Sequence, residues 1–219
     1  MTGSIYDKVT QLSKRYDFVS YGHAGEILLS SFPGEYLDIL KALDKFKLTT
    51  DDILAAGGNE SQIPKAFDSV LYPLGWREMR ICADLVVHKY VRQASQRKGR
   101  FEDEPFEEET IHNFVDGHNV DFVKGRVALD LEWNSKEAVF SRDIGSIRCW
   151  FDSGLIDVGV IITRAESLND VFRDLGVISK YGASTTWMGK LTYRLDSRQQ
   201  GGCPILAVGI RKECVEGYK

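Results

Sequence analysis

Apolar residues recur at helical spacing through the first part of the chain. Two series each define one helix face: Ile5, Val9, Leu12 and Tyr16, and then Tyr36, Leu37, Leu40, Leu43 and Phe46. Residues 49–52 are typical of a cap before a short helical turn that Gly57 and Gly58 end. Residues 64–71 begin another helix, with Pro64 near its N-terminus. This part of the chain is therefore predicted to be helical.

The pattern is ambiguous between residues 75 and 110. Residues 75–81 are typical of a strand, whereas residues 83–97 fit either a continuation of that strand or a helix. Residues 97–110 then change abruptly from basic to acidic, which predicts an exposed loop.

From residue 118 onward strands and helices alternate. Strands are predicted where β-branched and apolar residues dominate, at residues 127–133, 156–163 and 204–210. Helices are predicted between and around them, from residue 144 to Gly154 and at residues 168–175 and 188–195. This order predicts an α/β fold with a mixed central sheet flanked by helices.

Composition adds limits on size and partners. With 219 residues, 43% of them apolar, the chain can bury one sizeable core but is short for two ordinary domains. A single domain is predicted, with a mainly helical part at residues 1–110 and an α/β core at residues 111–219. The formal net charge of -4 gives no overall attraction to nucleic acid, so a DNA site would need local clusters of Lys and Arg.

The sequence also predicts the compartment. The N-terminus lacks a basic region followed by an apolar stretch, and no window has the apolar length of a membrane span. Cys82, Cys149, Cys203 and Cys214 show neither CxxC spacing nor a nearby His at zinc-ligand spacing. A cytoplasmic protein with reduced thiols is predicted.

Three acidic residues lie close to the predicted strand at residues 127–133. Asp130 and Glu132 are two residues apart, so their side chains point to one face of that strand, opposite Leu131. If Asp121 lies on a preceding strand and residues 124–125 form a turn, Asp121 comes alongside Asp130.

Converging carboxylates predict a cation. They repel one another and raise one another's pKa unless a positive ion lies between them, and Mg²⁺ prefers such oxygen ligands. Such an ion lowers the pKa of a bound water and neutralises charge on a phosphate, while Glu132 orients or deprotonates that water. From spacing alone, a solvent-facing position of Asp130 and Glu132 on an edge strand is equally favoured, but the surrounding apolar strands argue for a covered sheet.

The sequence around these acids resembles the type II restriction endonucleases of the BglII and BamHI group, within the PD-(D/E)xK nuclease superfamily. The resemblance runs through residues 120–136, 139–143, 157–164, 180–187 and 201–206, and in the first half only through residues 61–65 and 75–76. The extended stretches carry it, because the motif D…D-x-E alone is common by chance. It implies a Mg²⁺-dependent, site-specific deoxyribonuclease that acts as a homodimer on a short palindrome in double-stranded DNA.

Matched residue by residue, Asp121 corresponds to the first metal-binding aspartate of the family and Asp130 to the acid on the next strand. Both are therefore implied metal ligands, and with Glu132 they form the implied catalytic set. Val120 replaces the proline of the superfamily motif, and Asp130 stands where Glu is commoner. Glu132 stands where most of the superfamily has lysine, although relatives resembling BamHI have Glu and those resembling BglII have Gln. His118 is expected either to support the metal ligands from outside or to be structural.

Polar residues that suit DNA follow the acids. The resemblance implies that Asn134, Ser135 and Lys136 lead toward the major groove, whereas a turn that closes the strand is the alternative. Arg142, beside a helix start that Ser141 would cap, either contacts phosphate or pairs with Asp143 or another surface carboxylate.

A second polar segment precedes the predicted helix at residues 188–195. Its predicted DNA contacts are Lys180, Tyr181, Ser184, Thr185 and Thr186. Hydroxyls and backbone amides at a helix start bind phosphate or bases, and capping of the helix by one hydroxyl is compatible with that role.

Two other functions fit the same residues. One is a structure-directed repair or recombination nuclease of the same superfamily, which would lack a base-reading loop. The other is a non-catalytic DNA-binding dimer whose acids are surface charges.

Overall fold

A computed structural model describes residues 2–55, 62–92, 101 and 104–218 of the protein. The chain forms two compact units, residues 1–79 with 119–219, and residues 80–118. The helices are α1 (Thr2–Leu12), α2 (Ala24–Ser31), α3 (Pro33–Lys45), α4 (Thr50–Leu54), α5 (Gln62–Leu71), α6 (Val139–Asp152), α7 (Leu168–Asp174) and α8 (Met188–Asp196), with 3-10 turns at Tyr72–Leu74 and Lys212–Cys214. The strands are β1 (Tyr16–Tyr21), β2 (Arg77–Met79), β3 (Cys82–Lys89), β4 (Glu107–Asp116), β5 (Val120–Lys124), β6 (Val127–Glu132), β7 (Val158–Arg164) and β8 (Ile205–Ile210). Within the described ranges, no helix has the length and apolarity needed to cross a membrane.

A mixed six-stranded sheet forms the centre of the larger unit, in the order β1-β8-β7-β6-β5-β2. Strands β6, β7 and β8 run parallel, while β1, β5 and β2 each run antiparallel to the neighbour they pair with. Every residue of β7 is buried, as expected of a central strand covered on both faces. The predicted α/β class with a mixed sheet flanked by helices is confirmed.

Alternation along β6 separates a core face from the face of the acids. Leu129 and Leu131 belong to the hydrophobic core that the N-terminal helices share, whereas Asp130 points to the other face. Helix α6 covers that other face: its Ile147 packs where a side chain on Gly159 would otherwise lie. The acids therefore lie under a helix and not on an open sheet surface.

The smaller unit contains a two-stranded antiparallel ribbon of β3 and β4. The ambiguity at residues 83–97 is resolved as strand up to Lys89, and residues 93–100 and 102–103 lie outside the described range. The predicted exposed loop is wrong for residues 107–110, which form the first part of β4. Two glutamates of this part of β4 pair with one lysine across the ribbon, because Glu107 and Glu109 both lie 3.2 Å from the ammonium of Lys89.

The first predicted helix is wrong at its end, since α1 stops at Leu12 and Tyr16 begins an edge strand paired with Ile210. The phenol of Tyr16 donates to the Leu43 carbonyl at 2.7 Å, so tertiary pairing overrides the helical spacing at this residue.

The other predicted N-terminal helices are present as α3, α4 and α5. Thr49 caps α4 as expected: its hydroxyl accepts from the Asp52 amide, and the Asp52 carboxylate accepts from the Thr49 amide. The predicted stop at Gly57 and Gly58 lies outside the described residues.

Candidate active site

Antiparallel pairing of β5 with β6 places Asp121 beside Asp130. Phe122 pairs with Leu129, and the same register puts Asp121 opposite Asp130. Asp130 Oδ1 accepts a hydrogen bond from the Asp121 amide at 2.9 Å, and Asp121 Oδ2 accepts one from the Leu131 amide at 2.9 Å. Each carboxylate is thus tied to the backbone of the other strand, which fixes both acids at the end of the β5–β6 pairing.

Burial disfavours the charged form of both aspartates. Burial, opposed by the hydrogen bond from the Leu131 amide and aided by the nearby charge of Glu132, raises the pKa of Asp121 to about 6. Asp130 is only 4% exposed, and burial followed by the charge of Asp121 raises its pKa well above the ordinary value. Its Oδ2 is buried and has no hydrogen-bond partner among the described residues, so nothing there compensates the desolvation of this oxygen.

Helix α6 brings a further acid, Asp143, to the predicted set. Its carboxyl lies beside that of Glu132, so the two acids influence each other's protonation. Burial, followed by the charge of Asp143, raises the pKa of Glu132 to about 7. Burial also raises the pKa of Asp143 to about 6, although Arg142 opposes the shift.

Arg142 supplies the positive charge beside these acids. Its Nε and Nη2 donate to Asp143 Oδ1 at 3.0 and 2.9 Å, and Nη2 lies 3.6 Å from Glu132 Oε1. The predicted cap at Ser141 is wrong, because α6 already begins at Val139, and the Ser141 hydroxyl accepts from Arg194 Nε instead. The sequence pattern missed Asp143 because it placed the start of α6 too late. A helix that begins at Val139 turns residue 143 toward the interior.

The donor set suits a hard cation. Carboxylate oxygens are the preferred ligands of Mg²⁺, and the unpartnered Oδ2 of Asp130 offers a lone pair in a region of like charge. In the part of the chain that the structure describes, no three His, Cys, Asp or Glu side chains stand close enough to ligate one ion. The fit therefore rests on the two aspartates, and Mg²⁺ ordinarily keeps several waters when one or two carboxylates hold it.

The two segments predicted to contact DNA lie against each other directly after β6. The Ser135 amide donates to Thr186 Oγ1 at 3.1 Å, and the Thr186 amide donates to the Ser135 carbonyl at 2.9 Å. Lys136 pairs with Thr185 in an isolated antiparallel bridge. Lys136 and Ser184 are exposed, so segments 134–137 and 180–186 form one polar surface at the end of the strand that carries Asp130 and Glu132.

Several of the predicted contact residues use their polar atoms within the chain. The Lys180 ammonium donates to the carbonyls of Ile53 and Ala55, and the hydroxyl of buried Tyr181 donates to the Ile53 carbonyl at 2.9 Å. Thr185 Oγ1 donates to the Gly182 carbonyl at 2.7 Å. These contacts anchor the surface, and a direct contact of these residues with DNA stays a prediction.

Two of the predicted residues remain, Asn134 and His118. Asn134 donates to the Lys180 carbonyl at 3.4 Å, while its buried Oδ1 has no partner within the described ranges. His118 falls at the end of the smaller unit, and its supporting role stays a prediction.

Comparison with known proteins identifies the family of the chain. The family model of the restriction endonucleases BglII and BglIII matches residues 16–210, which include β5, β6, α6 and both polar segments. A search of curated proteins gives no match. Because the matched region covers most of the 219 residues, the chain belongs to the BglII/BglIII restriction endonuclease family, type II enzymes that hydrolyse phosphodiester bonds of DNA.

Proposed function

We propose that this endonuclease uses Mg²⁺ and cuts double-stranded DNA at a short palindromic sequence as a homodimer. The observation that carries the proposal is the pair Asp121 and Asp130, locked to each other's strand with one buried carboxylate oxygen left over. A palindrome presents two equivalent scissile phosphates, which a two-fold symmetric dimer meets with two equivalent sites.

Asp121 and Asp130 would hold the ion. When bound, Mg²⁺ lowers the pKa of a coordinated water and offsets charge at the scissile phosphate. Glu132 accepts the proton of the attacking water or orients that water, for which a carboxyl with a pKa near neutrality is suited. Asp143 and Arg142 contact Glu132 from α6, and Arg142 balances its negative charge, whereas the charge of Asp143 opposes it.

The polar surface of segments 134–137 and 180–186 would read the DNA. Lys136 and Ser184 are exposed there, and Asn134 and Ser135 lie between them and the acids. Arg142, about half exposed, suits a phosphate next to the cut. Lys180, Tyr181, Thr185 and Thr186 complete the proposed DNA-binding set, chiefly by shaping the surface.

The test is digestion of plasmid DNA by the wild-type protein and by Asp121→Asn and Asp130→Asn. We expect discrete fragments with Mg²⁺ and none with a chelator. Both variants should lose cleavage while binding DNA as well as wild type or better, because Asn keeps an oxygen for the backbone hydrogen bond but removes the charge.

Three outcomes would contradict parts of this proposal. Near wild-type cleavage by either variant would mean that the metal site is elsewhere. Fragments with heterogeneous ends would indicate a structure-directed nuclease. Binding without any metal-dependent cleavage would indicate a non-catalytic dimer.

A further inference from the structure

Arg164, the last residue of β7, is a buried cation that lies outside the acid cluster. It is 1% exposed, and among the described residues no carboxylate pairs with it. Burial lowers its pKa to about 10, so it is still charged at neutral pH. A buried charge without a counterion lowers the free energy of unfolding, and an apolar side chain of similar length would lower it less. The charge therefore has a role other than filling the core.

Two hydrogen bonds of Arg164 go to one loop, and a third goes to helix α7. Nη2 donates to the Tyr181 carbonyl at 3.0 Å and to Thr185 Oγ1 at 2.6 Å, and Nη1 reaches Asn169 Oδ1 at 3.4 Å. The guanidinium carbon also lies 5.5 and 5.6 Å from the ring centres of Phe172 and Tyr181, which stack on each other at 3.9 Å. One planar group thus fixes both ends of the turn 181–185.

Turn 181–185 belongs to segment 180–186 of the proposed recognition surface. The turn itself bonds to segment 134–137, where the Glu137 amide donates to the Ser184 carbonyl at 2.9 Å and Lys136 pairs with Thr185. Segment 134–137 itself follows β6 and the acids directly. Arg164 therefore connects the central strand with the surface that faces DNA, and none of its donors goes to Asp121, Asp130, Glu132 or Asp143.

We propose that Arg164 is a positioning residue that sets DNA sequence specificity by holding turn 181–185 against segment 134–137. The proposal rests on the proposed function, because it requires that these segments read DNA. Arg suits the task since its fork holds a carbonyl and a hydroxyl at fixed angles, whereas Lys is a single point donor.

The experiment compares cleavage of the wild-type recognition site with cleavage of sites that differ from it by one base pair. Arg164→Lys should lower the ratio of these two kcat/KM values by about tenfold or more, the scale of one misplaced base contact. Most of the loss should fall on KM for the recognition site, because the acid cluster is unchanged. Arg173→Lys on α7 is the matched control, since Arg173 is exposed and pairs only with Asp170 among the described residues.

A double-mutant cycle distinguishes an effect of Arg164 through the turn from a purely structural effect. Thr185→Val removes the hydroxyl that accepts from Arg164 and keeps the shape of the side chain. If Arg164 acts through the turn, Arg164→Lys and Thr185→Val lose discrimination, and the double variant loses no more than the worse single one. Losses that multiply would mean that Thr185 acts on DNA independently and would overturn the proposal.

The two proposals fail differently. A wild-type protein without sequence-defined cleavage overturns both. Sequence-defined cleavage by wild type together with full discrimination by a folded Arg164→Lys overturns only the role of Arg164. If Arg164→Lys does not fold, Thr185→Val alone decides: unchanged discrimination contradicts the proposal.

Discussion

Four carboxyl groups share a buried corner of the molecule, and they are held in two different ways. Asp121 and Asp130 bond to backbone amides of each other's strands. Glu132 and Asp143 lie beside each other, and Arg142 forms an ion pair with each of them. Backbone amides therefore position the aspartate pair, whereas side chains of α6 position Glu132.

Glu132 is the position at which substitution separates catalysis from binding. Glu132→Gln keeps a group that donates to Asp143 and positions water, but it cannot accept a proton. We expect cleavage with saturating Mg²⁺ to fall by about 10²-fold, the lower end of general acid–base contributions. Glu132→Lys should lose cleavage altogether and bind the specific site at least as well, because it removes negative charge near the phosphate. Single-turnover cleavage and gel-shift titration measure the two effects.

Glu213→Gln is the control for Glu132, since Glu213 is an exposed acid that pairs with Arg211 away from the cluster. Its cleavage should equal that of wild type. A fully active Glu132→Lys would show that Glu132 is neither a metal ligand nor a base and would leave Asp121 and Asp130 to act alone.

At the residue scale, the sequence predicted the contacts that form between two strands adjacent in the chain. Two acids two residues apart share a face, and one tight turn brings Asp121 to them, so their meeting was predictable. Asp143 was not, because its position depends on where α6 begins and how it packs. Nothing in the acid spacing contains that information.

At the element scale, the position of α6 over the sheet depends on a residue without a side chain. A Cβ on Gly159 of β7 would lie 2.6 Å from Cγ2 of Ile147, which is fully buried. Since Ile147 has no open space to move into, α6 and the acid it carries would be pushed from the sheet.

We therefore expect Gly159→Ala to lower the free energy of unfolding by about 1–3 kcal/mol, as overpacking of a core does. Gly145→Ala, on the exposed side of α6 with nothing within 4 Å of the added atom, should raise it by about 0.5–1 kcal/mol through helix propensity. Denaturant unfolding measures both. A Gly159→Ala protein as stable as wild type would mean that the approach of α6 is looser than described.

The elements that sequence patterns missed are those that depend on a distant partner. The edge strand β1 contains Tyr16, whose spacing continues a helix face, and only its pairing with β8 makes it a strand. The residues of β4 that precede Thr110 are acidic, and strand geometry there depends on pairing with β3. Strands β6 and β7, by contrast, are predictable because burial on both faces dictates their composition.

At the scale of the whole molecule, the buried acids make the stability of the fold depend on pH. Burial raises the pKa of Asp121 and Asp143 to about 6 and of Glu132 to about 7, and Asp130 is raised as well. In the unfolded chain these groups titrate near pH 4. Between about pH 4 and pH 7 these four groups thus bind more protons in the folded protein than in the unfolded chain, and their contribution to the free energy of unfolding falls as the pH rises.

We expect the Tm of the metal-free protein to decrease from pH 5 to pH 8, and Mg²⁺ to raise the Tm at pH 8 far more than at pH 5. The reason is that the ion binds deprotonated carboxylates of the folded state and compensates their repulsion. An Asp121→Asn/Asp130→Asn double variant provides the control, because Asp17 and Asp68, whose pKa values burial also raises, are unchanged in it. The double variant should show a flatter pH dependence and no Mg²⁺ shift at pH 8. A metal-free wild-type Tm that stays constant or rises toward pH 8, or an equal Mg²⁺ shift in both proteins, would contradict the assignment of the buried acids to a metal site.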